Sequence, residues 1–427
     1  MIKTDKVLSK TLRIVDGKLL RNVEDISAIK KLIEVLKKKG YIGRTVIDTK
    51  IYSEEDRLVE HEILKYIIHS GEYTESMAFD VNMCSLNMAL DLINEGVFAY
   101  DLLPHNFTFH NGEWFLYDFD SFQLRPEKTI TQIRGFFKII FSNYEILKLI
   151  SRKELKHYYL TRYRIEDIVK LIPFFRWLVL FTNQVLCNIL HKLKAYKLSF
   201  IFINKLFEKY SKNYKKNYYD YKEEKNYFDL NTLLKENNIK TAFCIGEDSA
   251  KFAISNEKTE NLIQKLVYID DYELCDKYYN YIVQNKIKNI IPAVLYPLID
   301  DENISKDYCY RAIYDSYAQE RFYSDCVVAL NFTDKDKSNL LKNLSIFTSN
   351  MLILSNKYFN ENDILYLNEL FETVEINGEY IIAKRKKNKN IPLANKPYID
   401  GNRGALAIKQ TWEVLKLIEN KHSITNN

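Results

Sequence analysis

Glycine and proline are scarce in this chain, 11 and 7 among 427 residues. That excludes collagen-like repeats and long Gly- or Pro-rich linkers. The six cysteines (Cys84, Cys187, Cys244, Cys275, Cys309, Cys326) are scattered, with no CxxC pair and no His-Cys cluster. A structural zinc site is therefore not expected, and thiols set in apolar runs fit a reducing compartment. Charge of one sign is also missing: 62 Lys and Arg face 57 Asp and Glu, a net +5. A nucleic-acid partner is not expected from so small a surplus, because such binders concentrate basic charge on one stripe. Long apolar runs are absent too. The nearest, Ile172 to Leu190, is broken by Arg176, Asn183, Gln184 and Asn188. It falls short of the ~18 uninterrupted residues of a membrane span and reads as a buried helix. The opening residues MIKTDKVLSK carry no apolar stretch of the secretory kind. The expectation is a soluble, cytoplasmic protein without a transmembrane segment.

What is present is ordinary globular material, 47% hydrophobic and 28% charged, enough for two or three cores. The wealth of Lys, Asn, Ile and Tyr reads as coding bias of an AT-rich bacterial genome. DISAIKKLIEVLKKKG predicts a helix ending at Gly40, and RTVIDTKIY a strand. EEDRLVEHEILKYII and NMCSLNMALDLINEG predict two more helices, the second ending at Gly96. Residues 129–210 read as amphipathic helix. Arg164, Lys170, Arg176, Lys192, Lys194 and Lys197 give it a basic side, a solvated face by default and a peripheral membrane contact as the minority reading. Tyr210 to Phe228 is charged, Tyr-rich and aperiodic, the pattern of an exposed linker. His61, His69, His105 and His110 lack metal-ligand spacing and read as surface or hairpin positions.

Beyond the linker the texture alternates. TAFCIGE, KLVYIDD, IIPAVLYPL, SDCVVALNF and SNMLILS predict strands, with helices between them. FETVEINGEYIIAKRK closes the run as a hairpin turning at Asn377-Gly378. Repeated β-α-β units predict an α/β domain with a mostly parallel sheet covered on both faces. In such a sheet a nucleotide-type ligand binds beyond the carboxyl ends of the strands, beside the first. It needs a glycine turn for close approach and an acid at the end of the second strand for the ribose hydroxyls. Here those positions hold Gly246, Glu247 and Asp248, and then Asp270 and Asp271.

From about Ile51 to Arg385 the chain resembles a group of two-module bacterial class I S-adenosylmethionine-dependent methyltransferases, often encoded with surface-polysaccharide or nodulation-factor genes. The resemblance implies a Rossmann-like sheet at residues 238–388. It implies methyl transfer to a hydroxyl or similar acceptor, a small molecule or a glycan sugar of polysaccharide biosynthesis. The family's loop reads D-x-G-x-N-x-G. This chain keeps Gly246 but has Cys244 for the acid, Asp248 for Asn and Ala250 for the last Gly. Where the family has two histidines after its fourth strand, Asn331-Phe332-Thr333-Asp334 stands here, making Asp334 the nearest candidate base.

A second pattern lies in the first half. Asp101-Leu102-Leu103-Pro104-His105-Asn106 precedes a hairpin turning at Asn111-Gly112 and then Asp118. D-x-x-P-x-N, hairpin, aliphatic-x-D resembles the catalytic and metal loops of kinase-like phosphotransferases. By position Asp101 would be the base, and Asn106 and Asp118 the Mg²⁺ ligands for ATP. No G-x-G-x-x-G loop precedes it, and the lysine proposed for the phosphates is Lys50, with Glu60 or Glu62 as its ion-pair partner. The expected layout is a kinase-like α+β module with a helical extension over 1–225, the methyltransferase-type domain over 238–388, and a helix and tail over 389–427. Methyl transfer leads; Mg-ATP-dependent phosphoryl transfer and a non-catalytic interaction protein are the alternatives.

Overall fold

The computed structural model describes residues 6–7, 11–68, 72–93, 95–99, 102, 106–124, 189, 219, 221, 227–257, 263–269, 271–294, 322–330, 341 and 344–387. The helical stretch expected over most of 129–210 and the helix expected at 406–419 lie outside them. Among the described residues no helix is long and apolar enough to cross a membrane.

The first half opens with a five-stranded antiparallel sheet. Its strands are β1 (Lys6–Val7), β2 (Leu12–Val15), β3 (Lys18–Asn22), β4 (Thr49–Ser53) and β5 (Leu58–His61), in the spatial order β1-β2-β3-β5-β4. Helix α1 (Ile26–Lys38) runs between β3 and β4. It starts because Asp25 accepts a hydrogen bond from the Ala28 N–H at 2.9 Å, and ends before Gly40 at φ +72°. The segment 54–68, expected to be helical, instead supplies β5. Arg57 sits in the left-handed region at φ +55°, closing a turn that brings Leu58 and Val59 between β3 and β4. Ladder pairing on both sides outweighs the segment's moderate helix propensity.

Helix α2 (Glu75–Ile93) follows, then β6 (Val97–Ala99), β7 (Phe107–His110), β8 (Glu113–Leu116) and β9 (Phe122–Leu124). β6 pairs with β9, and β7 with β8, both antiparallel. Asn111 and Gly112 turn the β7–β8 hairpin with φ of +50° and +80°, as the Asn-Gly pair predicts.

The second half is a seven-stranded, mostly parallel sheet. β10 (Thr241–Ile245), β11 (Gln264–Tyr268), β12 (Ile290–Ala293), β13 (Ser324–Ala329), β14 (Thr348–Ser355), β15 (Phe371–Asn377) and β16 (Tyr380–Lys386) lie in the order β12-β11-β10-β13-β14-β16-β15. Only β16 runs against its neighbours β14 and β15. The central strands are apolar runs buried on both faces, which is why they read as continuous rather than alternating. Helices α3 (Phe228–Glu236), α4 (Glu247–Glu257), α5 (Tyr272–Gln284) and α6 (Glu361–Leu370) accompany the sheet. The closing hairpin forms, but Asn377 pairs with Tyr380, so its two-residue loop is Gly378-Glu379, one position later than expected. Gly378 takes the first loop position at φ +58°, a left-handed conformation that glycine adopts without a Cβ penalty.

The buried core runs without a break from the first half into the second. Tyr66 donates to the Ala242 carbonyl at 3.3 Å, beneath the amino end of β10. The Val294 N–H, just past β12, donates to the Glu72 carbonyl at 3.0 Å. Trp114 Nε1 donates to the Tyr279 hydroxyl at 2.8 Å, and that hydroxyl donates to Asp80 at 2.8 Å. Asp276 of α5 accepts from the Ser76 N–H (2.9 Å) and hydroxyl (2.8 Å), capping the first turn of α2 from the other half of the chain. Tyr219 and Tyr221, expected in an exposed linker, pack edge-on or tilted against Tyr278 and Tyr281 of α5. The hairpin loop is equally confined, since a Cβ added at Gly112 would lie 3.0 Å from the Ile287 carbonyl oxygen. Gly112→Val combines that collision with a left-handed φ, and should cost about 2 kcal/mol or more in urea denaturation, far above an ordinary surface substitution.

Candidate functional site

Two candidate sites occupy different parts of the molecule. The first lies at the carboxyl end of β10. The strand is held between β11 and β13, and its Gly246 leaves it in the left-handed region at φ +86°, with its N–H donating to the Tyr268 carbonyl at 2.9 Å. Helix α4 begins at the next residue, so its unpaired amide groups and the positive end of its dipole face the turn. A Cβ at 246 would sit 3.4 Å from the Leu330 carbonyl, so glycine lets β10 and β13 approach here. Ser249, fully buried in the first turn of α4, accepts a hydrogen bond from the Leu330 N–H at 2.8 Å. That bond ties the end of β13 to α4, and no sequence pattern marks the residue.

The acids expected around this turn are differently employed. Glu247 and Asp248 both reach Lys251, at 3.1 and 3.5 Å, and Glu247 also accepts from the Tyr219 hydroxyl at 3.2 Å. Asp271 caps α5 by accepting from the Leu274 N–H at 2.8 Å. Cys244 is buried with no exposed surface, and burial pushes its thiol up to about 12, so it offers no anionic group at this turn. Ala250 is also buried, and its carbonyl accepts from the Tyr278 hydroxyl at 2.9 Å. Asp270 and Asp334 lie outside the described residues. The turn offers a glycine and a helix start, while the described acids are committed to capping and ion pairing.

The second site surrounds Asp118, at the end of the β7–β8 hairpin. Asp118 caps a single 3-10 turn, Phe119–Ser121, accepting from the Asp120 N–H at 3.3 Å. Asn106 is buried, and its amide donates to the Ser121 hydroxyl at 3.4 Å, while its carbonyl accepts from the Tyr117 N–H at 3.0 Å. The fold therefore brings Asn106 and Asp118 to one loop, as the motif implies. Asp101 lies outside the described residues. The unexpected member is Arg21 of β3. Its guanidinium lies 3.8 Å from Asp118 and in closer contact with Asp120. Burial pushes the Asp118 carboxyl upward, and Arg21 opposes that shift.

His61 completes the cluster. It is buried at the end of β5 rather than on the surface, its ring 5.7 Å from that of Phe119. The Thr49 hydroxyl donates to the Ile47 carbonyl (2.9 Å), so it accepts from His61 Nδ1 (2.9 Å). That fixes the tautomer and leaves Nε2 as a buried acceptor without a partner. Burial, reinforced by the charge of Arg21, pushes the imidazole down to about 3. Lys50 pairs with Glu60 at 3.2 Å, one of the two partners expected, but its side chain is 60% exposed on β4, and the cation that reaches Asp118 is Arg21. Arg21 was missed because β2 and β3 were not read as strands. The signal was there, in Asp16-Gly17 between LRIV and KLLR, and both residues turn with φ of +50° and +77°.

Among the described residues no group of three His, Cys, Asp or Glu side chains could hold a metal ion. Two carboxylates still fit Mg²⁺ arriving with a nucleotide, because that ion takes one or two protein carboxylates and completes its shell with phosphates and water. No family model and no curated protein matches the chain. Fold and sites together define a mixed α/β protein with a glycine turn at the head of a mostly parallel sheet and an acidic loop beside an antiparallel one.

Proposed function

We propose that the second half is a class I methyltransferase-type domain that binds S-adenosylmethionine at the Gly246 turn and methylates a hydroxyl or similar acceptor, such as a glycan sugar. One observation carries this reading. Counted from β10, the strands lie in the order third, second, first, fourth, fifth, seventh, sixth, with the seventh alone antiparallel. That is the strand plan the resemblance implies, and in it the ligand lies beyond the first strand's carboxyl end, where Gly246 turns.

S-adenosylmethionine supplies an electrophilic methyl group when bound. The chain's own residues position and enclose. Gly246 allows close backbone approach, and the start of α4 presents amide donors to a carboxylate or other electron-rich group. Ser249 holds the end of β13, so the segment leading on to Asp334 departs from a fixed point. Thermal shift of the full chain tests this. S-adenosylhomocysteine should raise the melting temperature in proportion to the logarithm of its concentration, as a ligand of the native state does. An unchanged melting point at millimolar ligand contradicts the reading.

A second reading rests on the first half. β3-α1-β4-β5 with the order β3-β5-β4, then β6 paired with β9 and β7 with β8 around the Asp118 loop, support a kinase-like module. Its function would be Mg-ATP-dependent phosphoryl transfer, with Asn106 and Asp118 near the metal. In the same assay Mg-ATP should raise the melting temperature of the wild type and not of Asp118→Ala; an unchanged wild type rejects this reading.

A further inference from the structure

Arg21 sits where a cation would have to sit. It projects from β3, in the middle of the first sheet, and its side chain is only 12% exposed. It faces two carboxylates of one loop, Asp118 and Asp120, themselves 29% and 56% exposed. Asp118 is fixed by its capping bond to the Asp120 N–H, so the loop cannot turn this carboxylate away without losing the 3-10 turn. On the neighbouring strand His61 offers a bare Nε2 in a 95% buried ring that lies tilted against Phe119, the residue between the two acids. A buried acceptor nitrogen with no donor costs free energy, and native structures keep such groups for a reason. The loop thus carries two carboxylates and one resident positive charge, with a bare imidazole nitrogen on the strand beside Arg21. No other cation is in salt-bridge contact with either acid among the described residues.

We propose that Arg21 is the built-in counter-ion of the Asp118–Asp120 pair, and that a divalent cation enters this site only by displacing it. The inference rests on the second reading, in which Asp118 is a metal-binding residue. Like charges exclude one another at this range, and a largely buried guanidinium within 4 Å of a carboxylate competes directly for it. Arg21 is thereby a gate on metal occupancy. It keeps the carboxylates paired in the metal-free protein, and it is released as a mobile cation when the metal arrives with its own anionic ligands. A free ion without phosphates cannot offer Arg21 a new partner, so the exchange favours the metal-nucleotide complex over the metal alone.

The experiment is Mn²⁺ binding to the full chain, read from the electron paramagnetic resonance signal of the free ion, without nucleotide. Arg21→Gln, which keeps length and hydrogen-bonding capacity, is used beside Arg21→Ala, and melting curves establish that at least one is folded. Removing the guanidinium should tighten Mn²⁺ binding at least tenfold, while Arg21→Lys, which keeps the charge, should bind as weakly as the wild type. Adding Asp118→Asn to the Arg21 variant should abolish the gain. Equal Mn²⁺ affinity in wild type and in a folded Arg21→Gln or Arg21→Ala overturns the proposal. A gain that survives Asp118→Asn places the ion elsewhere, and then the metal role of Asp118 fails together with the gate.

Discussion

Replacing Asp276 by alanine should lower the unfolding free energy of the whole chain by about 3 kcal/mol, although the residue touches neither candidate site. The Asp276 carboxylate is 5% exposed and accepts from the Ser76 N–H and hydroxyl, while Asn280 reaches the Ser76 hydroxyl at 2.9 Å. Alanine removes the carboxylate that accepts from two buried donors at the start of α2, and with it a negative charge at that helix's positive end. Each unmade buried bond costs ~1–3 kcal/mol, more where a charge is involved. Because α2 belongs to the first half and α5 to the second, the loss should also loosen their union. Urea denaturation followed by tryptophan fluorescence reads this directly, since Trp114 donates to Tyr279 at the same junction. A loss below about 1 kcal/mol would mean that the junction is replaceable by water and that the halves are joined only loosely.

The second large effect is acid sensitivity centred on His61. Its folded-state pKa of about 3 lies below the ordinary 6.5, so the native protein holds the ring neutral. Above pH 6.5 both folded and unfolded chains carry it neutral, and stability gains nothing from it. As pH falls through 6.5 the unfolded chain takes up a proton that the folded chain refuses, and stability drops until about pH 3. Between pH 6.5 and about pH 4 this amounts to about 3 kcal/mol. Asp118, pushed upward by burial, acts in the opposite sense and is present in wild type and variant alike. His61→Phe, which can pack against Phe119, should therefore lose about 3 kcal/mol less than the wild type over that interval. Identical pH slopes for the two proteins would show that the ring is protonated in the native state.

Much of this architecture was legible because burial and sequence pattern coincide in the second half. Runs such as TAFCI and SDCVVA are apolar at nearly every position, and a strand covered on both faces must be. The first half hid its strands for a physical reason. β5 carries Glu60 and His61 beside Leu58 and Val59, so its local composition suits an amphipathic helix, and only pairing between β3 and β4 decides otherwise. The register of the last hairpin slipped by one because Asn377 still belongs to the ladder, leaving Gly378 to open the turn. The acidic residues of the second site were visible as a motif, since carboxylate, proline and asparagine spacing survives in one stretch of chain. Their cation was not. Arg21 lies almost a hundred residues upstream on a strand whose only marker is Asp16-Gly17, and an exposed lysine on β4 looked the better candidate. At the glycine turn the sequence located the bend between β10 and α4 but not the fate of its acids. Capping by Asp271 and the pairing of Glu247 and Asp248 with Lys251 depend on helix starts that no spacing rule reveals.

The claim that the Gly246 turn receives S-adenosylmethionine is tested most directly by titration calorimetry with S-adenosylhomocysteine, comparing the full chain with Gly246→Val. The variant places a branched side chain at φ +86°, its Cβ 3.4 Å from the Leu330 carbonyl, and leaves the acidic loop of the first half untouched. Saturable one-to-one heat in the wild type, lost in the folded variant, is the predicted result; no heat from the wild type at millimolar ligand contradicts it.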